Sequence, residues 1–524
     1  MATADLLIPD TEPSLYDRWA VRLRGNARQL RLWRWLAPTL LTALAGLLRF
    51  VDLGHPHALV FDETYYVKDA WSQWNLGYPG TWPPNVDDAF ARGHTDLYTA
   101  VGSYVVHPPL GKWIIGFGMW LFGPDSSFGW RFMVAVAGTA TVLLLYIVAR
   151  RLTGSIVFAV LPAFLLAIDG LGIVLSRTGL LDGILTFFVL LTFWFVLRDR
   201  ERQLGRLATA VAARAADDGT VRWGPVMWGR WWLVAAAVAA GAATAVKWSG
   251  LYVIAGVGVY VIVTDLLARR RLGVQNWATD GLRQALASFV VSVPVAFVVY
   301  LASWTGWLVT DRGWDRHAAD AHPATGLFAW VPLPLQSLWK YHQEMYRFNV
   351  SLTTPHSYAS PAWQWALLIR PTSMYWSQRK GCGDSVGCVQ AISSIPNPLI
   401  WWGGVAAAVF LLIAFILRRE WKYAYVLTGI GATYLPWLEY PQRTIFQFYT
   451  IAILPFLLLA IAFALREIAG RPDATNRRRL AGQRVVIVCV VAATVVSAFW
   501  YPVWTGMEVP YTFWRLHNWI VTWI

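Results

Sequence analysis

A chain of 524 residues that is 57% hydrophobic, 15% aromatic and only 14% charged lies far from soluble averages of about 25% charged, which excludes an ordinary water-soluble enzyme. Its formal charge of +14 would suit a nucleic-acid binder, but the basic residues cluster between apolar runs and mark sidedness instead. The 33 tryptophans fit the same class, because indole rings settle at membrane–water interfaces.

In chain order, residues 1–34 form a basic tail carrying Arg18, Arg22, Arg24, Arg28, Arg31 and Arg34. Runs long enough to cross a bilayer follow at 35–51, 130–149, 155–175, 180–197, 231–246, 251–268, 284–303, 398–417, 423–438, 445–465 and 485–504. Eleven spans behind a cytoplasmic tail put well over half of the 44 lysines and arginines in the inner segments, as the positive-inside rule requires. No nucleic acid is needed as a partner. The expectation is an all-α polytopic membrane protein with a transmembrane catalytic domain over 35–524 and two long outer loops, 52–129 and 304–397.

Four local features refine this reading. The small residues of "ALAG" (43–46) resemble a signal-cleavage site, yet the long tail and few apolar residues before it favour an uncleaved anchor. "GKWIIGFGMWLFG" (111–123) follows His107-Pro108-Pro109 and is too short to span, so it reads as a helix in the outer interface. The inner segment 198–230 reads as a solvated connector holding a short amphipathic helix. Of the three cysteines, Cys489 reads as a small buried hydrophobe of the last span, and Cys382 and Cys388, in "CGDSVGC" facing an oxidising exterior, read as a disulfide.

A charge at mid-bilayer costs about 2.5–3.5 kcal/mol, yet the spans carry Arg49, Arg131, Asp169, Arg177, Asp182 and Lys247. In this topology each falls near an outer end, so they converge on one plane. Just above that plane, "VFDETYYVKDAW" (60–71) hangs Asp62 and Glu63 beside the end of the first span, where a lipid headgroup would lie. "VHPPLGKW" adds His107 and Lys112, "PHSYASPAWQWALLIRP" adds His356 and Arg370, and "YPQRTIFQFY" adds Arg443. One acid pair facing several cations suits a phosphate group held beside a general base. Structural pairing would consume some of these charges, most plainly Arg177 with Asp182.

The ordered set FDETYY, HPPLGK, SRTGLLD, AVKWSGL, HSYASPAWQWALLIRP and PQRTIFQFY resembles the protein O-mannosyltransferases, and among them the actinobacterial members, over about residues 35 to 510. The large domain that yeast and animal relatives insert in the second long outer loop is missing here. The resemblance implies a type C glycosyltransferase fold and transfer of mannose from polyprenyl-phosphate mannose to Ser/Thr hydroxyls of secreted or membrane proteins. The site would lie at the outer face of the cell membrane, surrounded by membrane lipid. Docking on the secretion channel would suit such a site, and no motif encodes it.

By the same resemblance Asp62 is the base. Glu63 positions acceptor or sugar and pairs with Arg131. His107, Lys112, Arg177, Asp182, Lys247, His356 and Arg443 are candidates for the donor phosphate and sugar. A hydroxyl needs a base to accept its proton, and a leaving phosphate needs cations; a single displacement inverts the sugar carbon. No cofactor and no metal is expected, although Asp62, Glu63 and His107 offer ligand atoms. The rival readings are a related lipid-phosphate-sugar transferase acting on a glycolipid or lipid A, and a lipid flippase or solute transporter. The latter would place its charges near the midplane on broken helices.

Overall fold

The computed structural model describes residues 12–382, 386–471 and 473–524, with Asp218 described by its backbone alone. Every apolar run of the sequence is helical. Six helices are long and apolar enough to cross a membrane, Ser127–Thr153, Leu181–Asp217, Gly250–Arg271, Trp277–Ser303, Pro398–Arg418 and Asn476–Thr505, and a bent pair makes a seventh. The helices Ala27–Phe50, Trp231–Val246, Trp421–Tyr434 and Leu454–Ile468 occupy the other four predicted spans.

Three expectations differ from the structure. The run 155–175 is two helices, Val157–Ile168 and Gly170–Arg177, bent by 57°. Asp169 sits in the break and accepts the Gly172 N–H (3.1 Å) and the Asn397 N–H (2.9 Å), capping the second helix. Arg49 donates to the carbonyls of Leu166 and Ala167, both at 3.2 Å, which the bend leaves without helical partners. These two intramembrane charges therefore stabilise a kink. Second, 198–230 does not begin as a solvated connector. The helix Leu181–Asp218 runs straight through it, because Leu207 and Val211 bury against Ala268 and Val274.

Third, Cys489 is exposed. The helix Asn476–Thr505 lies at the periphery, with only 17% of its apolar window buried inside the protein, so its apolar residues face the bilayer rather than a core.

The outer loops are built, and not wholly from helix. Loop 52–129 holds the helices Glu63–Leu76 and Leu110–Phe122; the second has 13 residues, too few to span. Loop 304–397 holds the helix Leu333–Ser351 and an antiparallel hairpin, Thr372–Arg379 with Cys388–Ser394. Glu508–Pro510 adds a third strand beside Cys388–Ser394. Arg370 pins the chain's last residues to this loop by donating to the carbonyls of Ser357 (2.9 Å), Thr522 (2.5 Å) and Ile524 (2.8 Å).

Cys382 and Cys388 are disulfide-bonded, with Cα atoms 5.8 Å apart, at the tip of the hairpin. Closing so short a loop stabilises by about 2–3 kcal/mol. Cys382→Ser/Cys388→Ser is expected to raise hydrogen exchange in strands 372–379 and 388–394 and to leave the membrane helices as protected as before. Loss of protection spread across those helices would contradict this local role.

Candidate active site

The site starts at a cap. Asp62 stands at the N-cap of the helix Glu63–Leu76, yet its side chain makes no capping hydrogen bond. The carboxylate of such a residue ordinarily accepts a backbone N–H of the first turn; here it is left for other work. Phe61, just before it, holds a φ of 49°, rare for a bulky residue. Its ring packs edge-on against Phe446 and Phe448, both at 5.6 Å, and His356 at 6.0 Å. Those contacts fix the turn that aims Asp62.

Burial pushes the Asp62 carboxyl up to about 6, with Asp182 adding to the rise while Lys247 and the Tyr66 hydroxyl oppose it. Tyr66 is four residues on, in the same helix, and so rises on the same face. Asp62 takes part in no ion pair among the described residues. Asp182 does: it accepts from Lys247 Nζ at 2.9 Å, and Lys247 Nζ also lies 3.9 Å from the centre of the Tyr449 ring. The anticipated Arg177–Asp182 pair is thus replaced by Lys247–Asp182.

Glu63 and Arg131 form a closed unit. The Arg131 guanidinium uses all five of its N–H groups: two on Glu63 (2.8 and 2.9 Å), two on the carbonyls of Leu53 (3.2 Å) and Pro56 (3.0 Å), and one on that of Ala58 (2.9 Å). Glu63 also accepts the N–H groups of Val60 (2.9 Å) and Gly179 (2.6 Å). Neither side chain exposes any surface. The expected Glu63–Arg131 pair is present, and with four hydrogen bonds accepted Glu63 ties the loop that ends at Asp62.

Arg177 works likewise. It donates to the carbonyls of Arg49 (3.0 Å), Val51 (2.6 Å) and Asp52 (2.8 Å), where a cation meets the negative end of the helix Ala27–Phe50. It staples the end of that helix.

The remaining candidates differ in what they have free. Lys112 is buried, 3.5 Å from Asp69 and 3.5 Å from the His107 carbonyl. His107 is buried as well, its ring 5.9 Å from that of Tyr66, and burial, then Lys247, Lys112 and Arg443 push its imidazole well below the usual range. Its ring is therefore neutral at pH 7. Arg443 donates to Asn349 at 2.8 Å, yet its buried Nε has no partner. His356 is exposed at the rim, 4.9 Å from the Phe446 ring.

The structure thus brings Asp62, Asp182, Lys247, His107 and Arg443 into one electrostatic neighbourhood and sets Glu63, Arg131 and Arg177 behind it. Sequence reasoning left Tyr66 aside and did not single out Tyr449, the last residue of the motif PQRTIFQFY. Tyr66 was accessible from its spacing to Asp62; Tyr449 had no such spacing to point at it. Among the described residues, the only grouping of metal-ligand type is Cys382, Cys388 and Glu508, and its two thiols are joined.

Residues 39–305 match the family described as dolichyl-phosphate-mannose-protein mannosyltransferase, and residues 334–523 match the C-terminal four TMM region of protein-O-mannosyltransferase. The polyprenol-phosphate-mannose–protein mannosyltransferase of Mycobacterium tuberculosis is 35% identical, over 94% of this chain and 92% of its own. That of Corynebacterium glutamicum is 31% identical, over 92% and 91%. Among solved structures, a chain of the S. cerevisiae protein O-mannosyltransferase complex bound to the sugar donor superposes with a TM-score of 0.70 at 16% identity, covering 93% of this chain and 92% of that one. An oligosaccharyltransferase from Archaeoglobus fulgidus gives 0.52 at 14% identity, over 91% and 56%.

Proposed function

From the premise that the chain belongs to the protein O-mannosyltransferase family, we propose that Asp62 is the general base of its reaction, and that Lys247, Arg443 and His107 receive the donor phosphate. The chain is a multi-pass membrane glycosyltransferase of the type C fold that transfers mannose from a polyprenyl-phosphate carrier to proteins. The acceptors are Ser and Thr hydroxyls, reached at the outer face of the cell membrane with the N-terminus in the cytoplasm; the positive-inside distribution of Lys and Arg supports that placement.

The observation that carries the reading is the Asp62 carboxylate: half-buried, absent from every ion pair among the described residues, and held near a pKa of about 6. A base poised near the working pH is the efficient one. As the acceptor oxygen attacks the anomeric carbon, Asp62 takes its proton and the sugar–phosphate bond breaks on the opposite side. The sugar carbon inverts. The negative charge that grows on the departing polyprenyl phosphate meets Lys247, the unpartnered Nε of Arg443 and an N–H of neutral His107. The proposed mechanism routes no step through a divalent cation; Glu63, one of the three residues with ligand atoms to offer, already accepts four hydrogen bonds.

Purified protein given radiolabelled polyprenyl-phosphate mannose and a Ser/Thr-rich peptide is expected to label the peptide. An unlabelled peptide beside a labelled lipid product would favour a glycolipid transferase. Only the carboxylate form of Asp62 accepts a proton, so kcat/KM is expected to rise as pH increases through about 6 and level off above it. A rate that falls over this range would contradict the assignment.

A further inference from the structure

An apolar groove of about 790 Å³ opens toward the bilayer between the helices Gly250–Arg271, Pro398–Arg418 and Trp421–Tyr434. Its walls are aliphatic and outward-facing, with Val259 62% and Leu412 49% exposed. Two of its helices fix its direction. Gly250 follows Lys247, and Tyr434 leads toward Arg443, so these ends lie at the Asp62 site; Arg271 and Trp421 lie at the far ends. At about 1.5 Å per residue, 22 residues carry the groove to the opposite membrane surface.

That far end is basic. Arg200, Arg271 and Arg419 all line it, and none takes part in an ion pair among the described residues. Arg200 is close enough to Arg271 for their like charges to interact, an effect Asp265 partly offsets, while Arg200 Cζ stands over the Trp421 ring at 4.3 Å. The buried Nε of Arg200 has no partner. Beside it Tyr260, 6% exposed and lining the same groove, has a hydroxyl without a partner either. Unpaired buried polar groups of this kind are costly, and like charges left together add to that.

We propose that the groove holds an anionic phospholipid of the leaflet opposite Asp62, its acyl chains along the apolar walls and its phosphate against Arg200, Arg271 and Arg419. Charge complementarity selects this occupant. A neutral lipid would satisfy the walls and leave three arginines unpaired, whereas a phosphate diester pairs bidentately with guanidinium groups at the membrane depth where basic pockets meet anionic headgroups. The site is separate from the Asp62 centre and does not depend on which compartment either surface faces.

The test is thermal unfolding of the full chain in neutral detergent, with added dioleoylphosphatidylglycerol or dioleoylphosphatidylcholine. The anionic lipid is expected to raise Tm by several degrees more than the zwitterionic one. Arg271→Gln and Arg419→Gln, at exposed side chains where folding is not at stake, are each expected to reduce that difference. Arg200→Gln/Arg271→Gln/Arg419→Gln is expected to abolish it while mannose transfer from polyprenyl-phosphate mannose, in detergent without added phospholipid, stays at the wild-type rate. Native mass spectrometry is expected to retain one phosphatidylglycerol on the wild-type chain and none on the triple variant. Equal stabilisation by phosphatidylcholine or by an uncharged polyprenol would make the groove a hydrocarbon slot and overturn the proposal. So would the same shift from inorganic phosphate alone, or an unchanged difference in the single variants.

Discussion

Asp62→Asn is expected to lower kcat by about 10²–10⁴-fold, the range a positioned general base contributes, and to leave donor binding and the unfolding temperature close to wild type. The substitution keeps the shape of the side chain and removes its capacity to accept a proton. Structural cost should be small, because the carboxylate neither caps its helix nor pairs with a cation. Replacing a partly buried charge by an amide also relieves the desolvation that raises its pKa. The measurement is initial-rate transfer to a Ser/Thr-rich peptide beside titration of polyprenyl-phosphate mannose binding. The variant should also lose the rise of kcat/KM through pH 6. Near-native turnover would place the base elsewhere, and a collapse of donor binding equal to the loss of rate would make Asp62 a binding residue.

The sequence disclosed where the charges are more readily than what they do. Apolar runs located the six helices long enough to cross a membrane and the bent pair beside them, because long hydrophobic stretches have no alternative in a bilayer. It also disclosed that Arg49, Arg131, Asp169, Arg177, Asp182 and Lys247 were exceptional, since each is costly where it stands. Their partners were another matter. Arg49 and Arg177 bind backbone carbonyls, and every residue type has a carbonyl, so residue identity cannot announce such a contact. Asp169 needed knowledge of the break between Ile168 and Gly170, which apolar composition conceals. The continuous helix Leu181–Asp218 escaped notice because its polar half looks solvated until Leu207 and Val211 meet Ala268 and Val274.

The same distinction orders the site. Glu63 and Arg131, with every donor and acceptor engaged, hold the backbone. In the proposed reaction Asp62, Lys247 and Arg443, each with something unengaged, face the substrate. A cation count alone treats them as equivalent. Hydrogen-bond saturation separates them, and so predicts which substitutions move stability and which move rate.

Arg131→Met is the sharpest case of the first kind. It leaves Glu63 fully buried with its two N–H donors from Val60 and Gly179 but no countercharge, and breaking a buried pair from one side costs about 3–5 kcal/mol. It also frees the carbonyls of Leu53, Pro56 and Ala58, so the loop leading to Asp62 loses its anchor. The expected result is a large drop in unfolding temperature, with whatever folded protein remains showing a lowered kcat. Glu63→Gln/Arg131→Met removes both charges together and is expected to be more stable than Arg131→Met alone, because the uncompensated carboxylate is gone. That recovery should not restore activity, since three carbonyls stay unpaired and Asp62 is still poorly aimed. Thermal unfolding of the two variants, read beside their transfer rates, checks both halves. If the double variant were no more stable than the single one, the ion pair would not be what holds this loop. If Arg131→Met unfolded like wild type and lost only activity, Arg131 would act on the substrate instead.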